Sequence, residues 1–198
     1  MPFVTSHMSI SLDGFCAGPD QSLDNPLGVG GMRLHQWHFE PVAPVDQPYV
    51  DRLLGPRGAY IMGRNMYGPV RGEWDAEMWE GWWGPEPPYH APVFVLTHHP
   101  HDPVEKEGGT TFHFVDGFDA ALEAATAVAG DLPIDIAGGA SAVRQALQAG
   151  VLNELVLDIA PVLLGSGERF FDGVGPLELE PVEVTASPAA THVVYRIG

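Results

Sequence analysis

Residues 134–147, IDIAGGASAVRQAL, run from an apolar β-branched stretch through two glycines directly into a helical pattern. A buried strand that ends in such a turn and feeds a helix is the unit from which α/β sheets are built. The rest of the chain repeats the theme. Val4, Ser6, Met8, Ile10 and Leu12 alternate with Thr5, His7, Ser9 and Ser11, so period-2 patterning predicts a strand over 3–12, ended by Asp13-Gly14. Further strands are expected at 58–63, 92–98, 110–115, 154–165 (with Pro161 as a break), 181–185 and 192–197. Helices are expected from Asp46-Gln47-Pro48 to Leu54, over 118–129, and over 141–149 with Gly150 as its stop. Strands and helices alternate through the middle and strands dominate the end, which predicts a mostly parallel sheet with an antiparallel edge in one domain spanning 1–198.

Two long stretches lack periodicity. Residues 14–44 are rich in Gly and Pro and carry Trp37, His38 and Phe39; a loop of that length is usually functional. Trp37 is a candidate substrate contact there, and the loop a candidate lid. Residues 64–91 hold Trp74, Trp79, Trp82 and Trp83, which suit stacking on a flat ring and loop packing equally well.

Charge excludes whole classes of partner. With 26 acidic and 9 basic side chains the formal charge is −17, a field that repels nucleic acid and anionic lipid. An anionic small molecule must therefore be held by local groups. The single cysteine, Cys16, allows no internal disulfide, and no stretch reaches the roughly 18 apolar residues of a membrane helix. A cytoplasmic protein is expected.

Three strand ends carry groups that suit phosphate. Gly138 and Gly139, followed by Ala140 and Ser141, let a diphosphate approach the backbone at a helix N-terminus; a side chain at Gly139 is expected to block it and to strain the backbone. Taken alone, this turn is as well explained by ordinary strand-to-helix packing, and it is not the G-x-G-x-x-G fingerprint. Gly63 and Arg64 place a guanidinium at the end of a second strand, although a lone Arg is more often a surface ion pair. Thr97, His98 and His99 follow a third. With His101 and Asp102 they resemble a metal cluster less than a solvated turn, since the spacing is not that of a closed zinc site. No metal is expected.

Read in order, SLDGFCAG (11–18), IMGR (61–64), VLTHHP (95–100), IAGGAS (136–141) and IAPVLLGSGERFF (159–171) resemble the dihydrofolate-reductase-like superfamily. The resemblance is greatest to the reductase domain of the riboflavin-biosynthesis deaminase/reductase and its stand-alone relatives, and it covers nearly the whole chain. It implies an eight-stranded, mainly parallel sheet, NADPH as cofactor, and a small-molecule substrate reduced at a C=N or C=O bond. It assigns Gly63 and Arg64 to phosphate, Thr97 to His99 to the 2′-phosphate, Gly138 to Ser141 to the diphosphate, and Asp13 to Ala17 to the start of a loop over the nicotinamide. Leu164, Gly165, Gly167 and Glu168 fall in a loop facing substrate; Glu168 and Arg169 form either a pocket pair or a surface pair. It also implies a homodimer. The zinc-deaminase signature is missing. The carboxylate that folate reductases carry sixteen residues before the Gly of MGR aligns with Gln47; Asp46 is adjacent and Asp51 is four places on. Asp46 first and Asp13 second are the candidate catalytic carboxylates. A non-catalytic NADPH- or ligand-binding protein of the same fold, or a dihydrofolate reductase, is the alternative.

Overall fold

The computed structural model describes residues 2–39, 41–68, 72–74 and 81–198. In chain order the elements are β1 (Val4–Ser11), β2 (Phe15–Ala17), a buried 3-10 helix over Gly31–His38, α1 (Gln47–Leu53), β3 (Ala59–Gly63), α2 (Arg64–Tyr67), β4 (Pro92–Leu96), β5 (Val104–Glu105), β6 (Thr111–Val115), α3 (Phe118–Val128), β7 (Ile134–Gly138), α4 (Ala140–Gln148), β8 (Glu154–Ala160), β9 (Glu168–Arg169), β10 (Leu179–Ala186) and β11 (Thr191–Ile197).

Among the described residues the main sheet has nine strands in the order β10-β11-β8-β1-β7-β3-β4-β6-β5, and β2 pairs separately with β9. Its six central strands, from β8 to β6, are mutually parallel, while β11 and β10 close one side antiparallel and β5 the other. The ninth strand, β5, is two residues long, too short to show a pattern in the sequence. Strand β8 stops at Ala160, because Pro161 has no N–H for the ladder.

The back of the sheet is the main core. Ile10, Ile61, Ile134, Ile136, Leu155 and Leu157 pack against α3 and α4 through Phe118, Val143 and Leu147. α4 ends where Gly150, at φ 65°, donates to Leu147 and Val151 donates to Ala146, which satisfies the last carbonyls. The front carries two separate aromatic clusters. Tyr60, Tyr67, Trp74, Trp83, Phe112 and Phe114 form one over β3, β4 and β6; Trp37, Tyr49, Val156 and Val194 form the other over β8 and β11. Trp74 and Trp83 are thereby loop packing; Trp79 lies outside the described residues.

The 14–44 stretch is no free lid. β2 is bonded to β9, and Leu34 and Trp37 are buried beneath the 3-10 helix. Glycines let backbone touch backbone at several points of the fold, Gly58 among them. A Cβ there would stand 2.1 Å from the Ala129 carbonyl oxygen at the end of α3.

Gly58→Ala is therefore expected to lower the melting temperature by roughly 3–10 °C through overpacking. Gly175→Ala, where a Cβ meets nothing within 4 Å, should leave it unchanged. Thermal denaturation of both variants checks this.

Candidate functional site

The carboxyl ends of β3 and β7 meet. A Cβ on Gly63 would lie 3.5 Å from the Gly139 nitrogen, and Met62 is in register with Gly138. The Gly138–Gly139 peptide is cis. The glycine constraint sits one residue earlier than the sequence predicts. Gly138 has φ +114° and a Cβ there would stand 2.9 Å from Met8 Sδ, whereas Gly139 has φ −69° with nothing within 4 Å. Gly139 thus faces open space at the N-terminus of α4, whose first N–H groups have no intrahelical acceptor. Ala140 is corrected: it is buried and its amide is turned to the Cys16 thiol, so Gly139 and Ser141 are the accessible members of the turn. Burial pushes that thiol up to about 11, which makes it unreactive.

Arg64 and the β4 end share one neighbour. The Arg64 guanidinium lies 3.8 Å over the ring of Trp74, whose indole N–H donates to the His99 carbonyl at 2.6 Å. Thr97 is buried and its hydroxyl accepts the His99 N–H at 3.1 Å, so it shapes the turn. His98 is exposed but sits 2.7 Å from the Asp116 carboxylate, which sets a negative charge beside any phosphate bound there. Among the described residues, no group of three or more His, Cys, Asp and Glu is disposed to hold a metal ion.

Several substrate-side residues turn out to be braces. Asp13 accepts the amides of Leu164 at 3.1 Å and Gly165 at 2.7 Å, tying β1 to the loop after β8. Hydrogen bonds from Ser11 above all, then from Gly165 and Leu164, outweigh desolvation and hold its carboxyl down to about 2. Asp13 therefore has no proton to give near neutrality. A Cβ on Gly167 would stand 2.1 Å from the Ala17 carbonyl, so both residues belong to the β2–β9 contact. Glu168 pairs with Arg144 at 2.9 Å rather than with Arg169, which lies over Phe15. The adjacent side chains of a short strand point to opposite faces.

Trp37 is 2% exposed, donates to Ser9 Oγ at 2.9 Å, and offers no open wall to a ligand. Gln47 is exposed and bonded to Asp51, so the inward carboxylate of α1 is Asp46. Its Oδ1 lies 3.0 Å from His192 Nε2. It does not cap its own helix.

Asp46 belongs to a buried chain of alternating charge that the sequence did not reveal. His192 Nδ1 is 2.7 Å from Asp158 Oδ1, and His7 Nε2 is 2.8 Å from Asp158 Oδ2 in an ion-pair contact. The order runs from β1 through β8 and β11 to α1, with Tyr49 stacked on His192 at 4.0 Å. Burial alone drives Asp158 up, but bonds from His192 and His7 outweigh it and hold its carboxyl below the ordinary range. Burial alone drives His192 down, and its bonds to Asp158 and Asp46 reverse that and hold it above its ordinary value. Thr5, His7 and Ser9 alternate along β1, and with Asp135 of β7 they form a buried polar strip, each only 6–7% exposed. The available signal was the alternation in β1 itself. A strand between two parallel neighbours is apolar on both faces as a rule, and here one face reads Thr-His-Ser-Ser. The recess of about 230 Å³ lined by Pro2, Phe3, Leu122, Thr126, Val151 and Asn153 lies at the other end of the strands.

The model of a family described as RibD C-terminal domain matches residues 2–193. Among solved structures, a riboflavin biosynthesis protein from Shewanella sp. PV-4 is similar at TM-score 0.67 and 22% identity, with 100% of this chain and 99% of that one covered. A pyrimidine reductase-like protein from Corynebacterium diphtheriae is similar at TM-score 0.60 and 16% identity, covering 99% and 92%. The Thermotoga maritima diaminohydroxyphosphoribosylaminopyrimidine deaminase/5-amino-6-(5-phosphoribosylamino)uracil reductase is similar at TM-score 0.58 and 14% identity, covering 100% of this chain and 57% of its own. Among curated proteins none matches the chain.

The buried chain has a pH signature. The stability due to Asp158 is present above the ordinary carboxylate value and is lost as pH falls through its lower folded value. That due to His192 is complete below about pH 6.5 and is lost as pH rises through its higher folded value. The network's contribution is thus full between about pH 4 and pH 6.5. Urea midpoints should fall from pH 6 to pH 8.5 in the wild type, with a smaller fall in His192→Gln. An equal fall in both proteins places the effect elsewhere.

Proposed function

Since the chain belongs to the family of RibD C-terminal domains, we propose that it is an NADPH-dependent reductase of a small heterocyclic, imine or carbonyl substrate, at work in the cytoplasm. One observation carries the reading. The strand ends of β3 and β7 converge on glycine backbone, and Gly139 leaves open space at the start of a nine-residue helix. That is a cradle a diphosphate fits and a side chain would fill. Gly63, Gly139 and Ser141 would hold the diphosphate, with Arg64 as the candidate cation and the 97–99 turn as the candidate seat of the 2′-phosphate. The cofactor supplies hydride from its nicotinamide C4. The protein's own task is to align the acceptor and to keep water out.

The polar strip of Thr5, His7, Ser9 and Asp135 is the proposed substrate face. Its hydroxyls, carboxylate and imidazole suit the polar edge of a heterocycle. The Thermotoga protein named above as a reductase of 5-amino-6-(5-phosphoribosylamino)uracil supplies the first compound to test. A homodimer is also proposed, because edge strand β10 leaves Val182 and Val184 exposed. A non-catalytic binding module is the second reading, favoured by Trp37 stacking on His7 and covering that strip.

NADPH should bind more tightly than NADH by roughly ten- to a hundredfold, the worth of one charge-assisted phosphate contact. Titration followed by nicotinamide fluorescence measures both. Gly139→Val should abolish binding with the circular dichroism spectrum unchanged, because a side chain there enters empty space and no backbone strain arises. Equal affinity for both cofactors, or normal binding by the variant, contradicts the assignment.

Dihydrofolate should be a poor substrate. A pterin needs a free inward carboxylate for its N–C–N edge, and Asp46 is already committed to His192 at 3.0 Å. A steady-state assay with dihydrofolate and NADPH should give turnover well below about 1 per second, the low end of ordinary enzyme rates. A rate within that range would show that Asp46 leaves His192 for the ligand.

A further inference from the structure

The helix that begins at the cradle also carries an ion pair. Side chains on a helix lean toward its N-terminus, so Arg144 leans back along α4 toward the cradle. Its guanidinium donates to Glu168 Oε1 at 2.9 Å and to the Arg169 carbonyl at 2.7 Å, both on β9. A second thread joins the same parts. The Ala140 amide, first of the helix, is turned to the Cys16 thiol, and Cys16 Sγ lies 3.6 Å from the Glu168 carbonyl. Glu168 is therefore two contacts from the residue that opens α4. Its charge is felt there. Burial is what mainly raises the Cys16 thiol; beyond that, the Glu168 charge raises it and the Arg144 charge lowers it. Gln148, one turn past Arg144, holds the following stretch by donating to the Gly173 carbonyl at 3.0 Å.

We propose that the Arg144–Glu168 pair sets the anion affinity of the cofactor cradle: Glu168 would repel a diphosphate there, and Arg144 cancels its charge. The proposal rests on the reductase reading above, which puts the diphosphate at Gly139 and Ser141. Arg144 acts through Glu168 rather than by contact with the cofactor, so it is a positioning residue. The range is short enough for the effect. Arg144 comes five residues after Gly139, an axial rise of about 7.5 Å. The Debye length at physiological ionic strength is about 8 Å, so a charge at that range is only partly screened.

The composition makes such cancellation matter. The chain has 26 acidic and 9 basic side chains, so an anion gains nothing from the protein as a whole. Asp13, after β1, is held ionised by a hydroxyl and by amides, which leave its negative charge in place. A second uncancelled carboxylate at Glu168 would add to that field. A simple brace between α4 and β9 is the competing explanation of the pair, and the two differ in sign. Loss of either partner of a brace loosens the site. In a charge pair, loss of the cation weakens anion binding and loss of the carboxylate strengthens it, because Arg144 is then left uncancelled.

The test is NADPH affinity by nicotinamide fluorescence at low ionic strength. The wild type is set beside Arg144→Met, Glu168→Gln, the double variant and Arg144→Lys. Binding should be roughly three- to tenfold weaker in Arg144→Met and tighter by a similar factor in Glu168→Gln. The double variant should return to wild-type affinity. So should Arg144→Lys, which keeps the charge without the two-pronged bond. Every shift should shrink in 1 M salt, where the Debye length is about 3 Å. Arg196→Met changes the net charge by the same amount. Arg196 lies in register with Glu154 at the start of β8, at the other end of the strands from the cradle, so its loss should leave affinity unchanged. Weaker or unchanged binding in Glu168→Gln overturns the proposal. So does an Arg144→Met defect that persists in high salt or in the double variant. If circular dichroism shows Arg144→Met unfolded, Glu168→Gln and Arg144→Lys decide alone. All these failures leave the reductase reading standing, whereas a wild type that binds no NADPH overturns both.

Discussion

An ionised carboxylate taken out of water costs several kcal/mol unless partners replace the lost solvation. Asp158 lies fully buried on β8, beside the central strand β1, and is held by an imidazole on either side. Those partners come from β1 and β11, and the second is in turn held by Asp46 at the entry to α1. Three strands and a helix are thereby locked in one register, because a slip of one residue sends each side chain to the other face. The same requirement explains the covering of the site. Trp37 and Tyr49 pack on the two imidazoles and keep water from them, which anchors the 3-10 helix in the middle of the long stretch after β2.

The meeting of β3 and β7 is built on the opposite principle. Where β3 and β7 meet, side chains are absent and backbone approaches backbone. In a chain with formal charge −17, phosphate cannot be attracted by the surface as a whole. Amide dipoles at a helix start and one guanidinium steadied by an indole are the local means left. The protein thus sets a cradle of backbone amides next to a strip of buried titratable groups. The first suits an anion and the second suits a neutral polar ring.

Much of this was legible in the sequence because it is local. The IDIAGG run into ASAVRQAL made β7, its turn and α4 visible, since strand patterning, glycine and helix period all fall within fourteen residues. Pro161 and Gly150 marked their boundaries by backbone chemistry alone. The blocks at 11–18, 61–64, 95–100, 136–141 and 159–171 carried the family, and through it the mainly parallel sheet.

What the sequence by itself determined is therefore the architecture and the strand ends, whose physics is written in neighbouring residues. The tertiary structure alone decided which polar side chains share a buried space. His7, Asp46, Asp158 and His192 are separated by up to 185 positions, and nothing in the spacing of four ordinary residues shows that sheet order links them in a chain of contacts of 2.7–3.0 Å. It also decided that Asp46 rather than Gln47 turns inward, that Asp13 braces a loop, and that Glu168 meets Arg144. Each of these outcomes depends on the direction of a single Cα–Cβ bond, and a rotation of about 100° per helical residue or 180° per strand residue is set by what the element packs against.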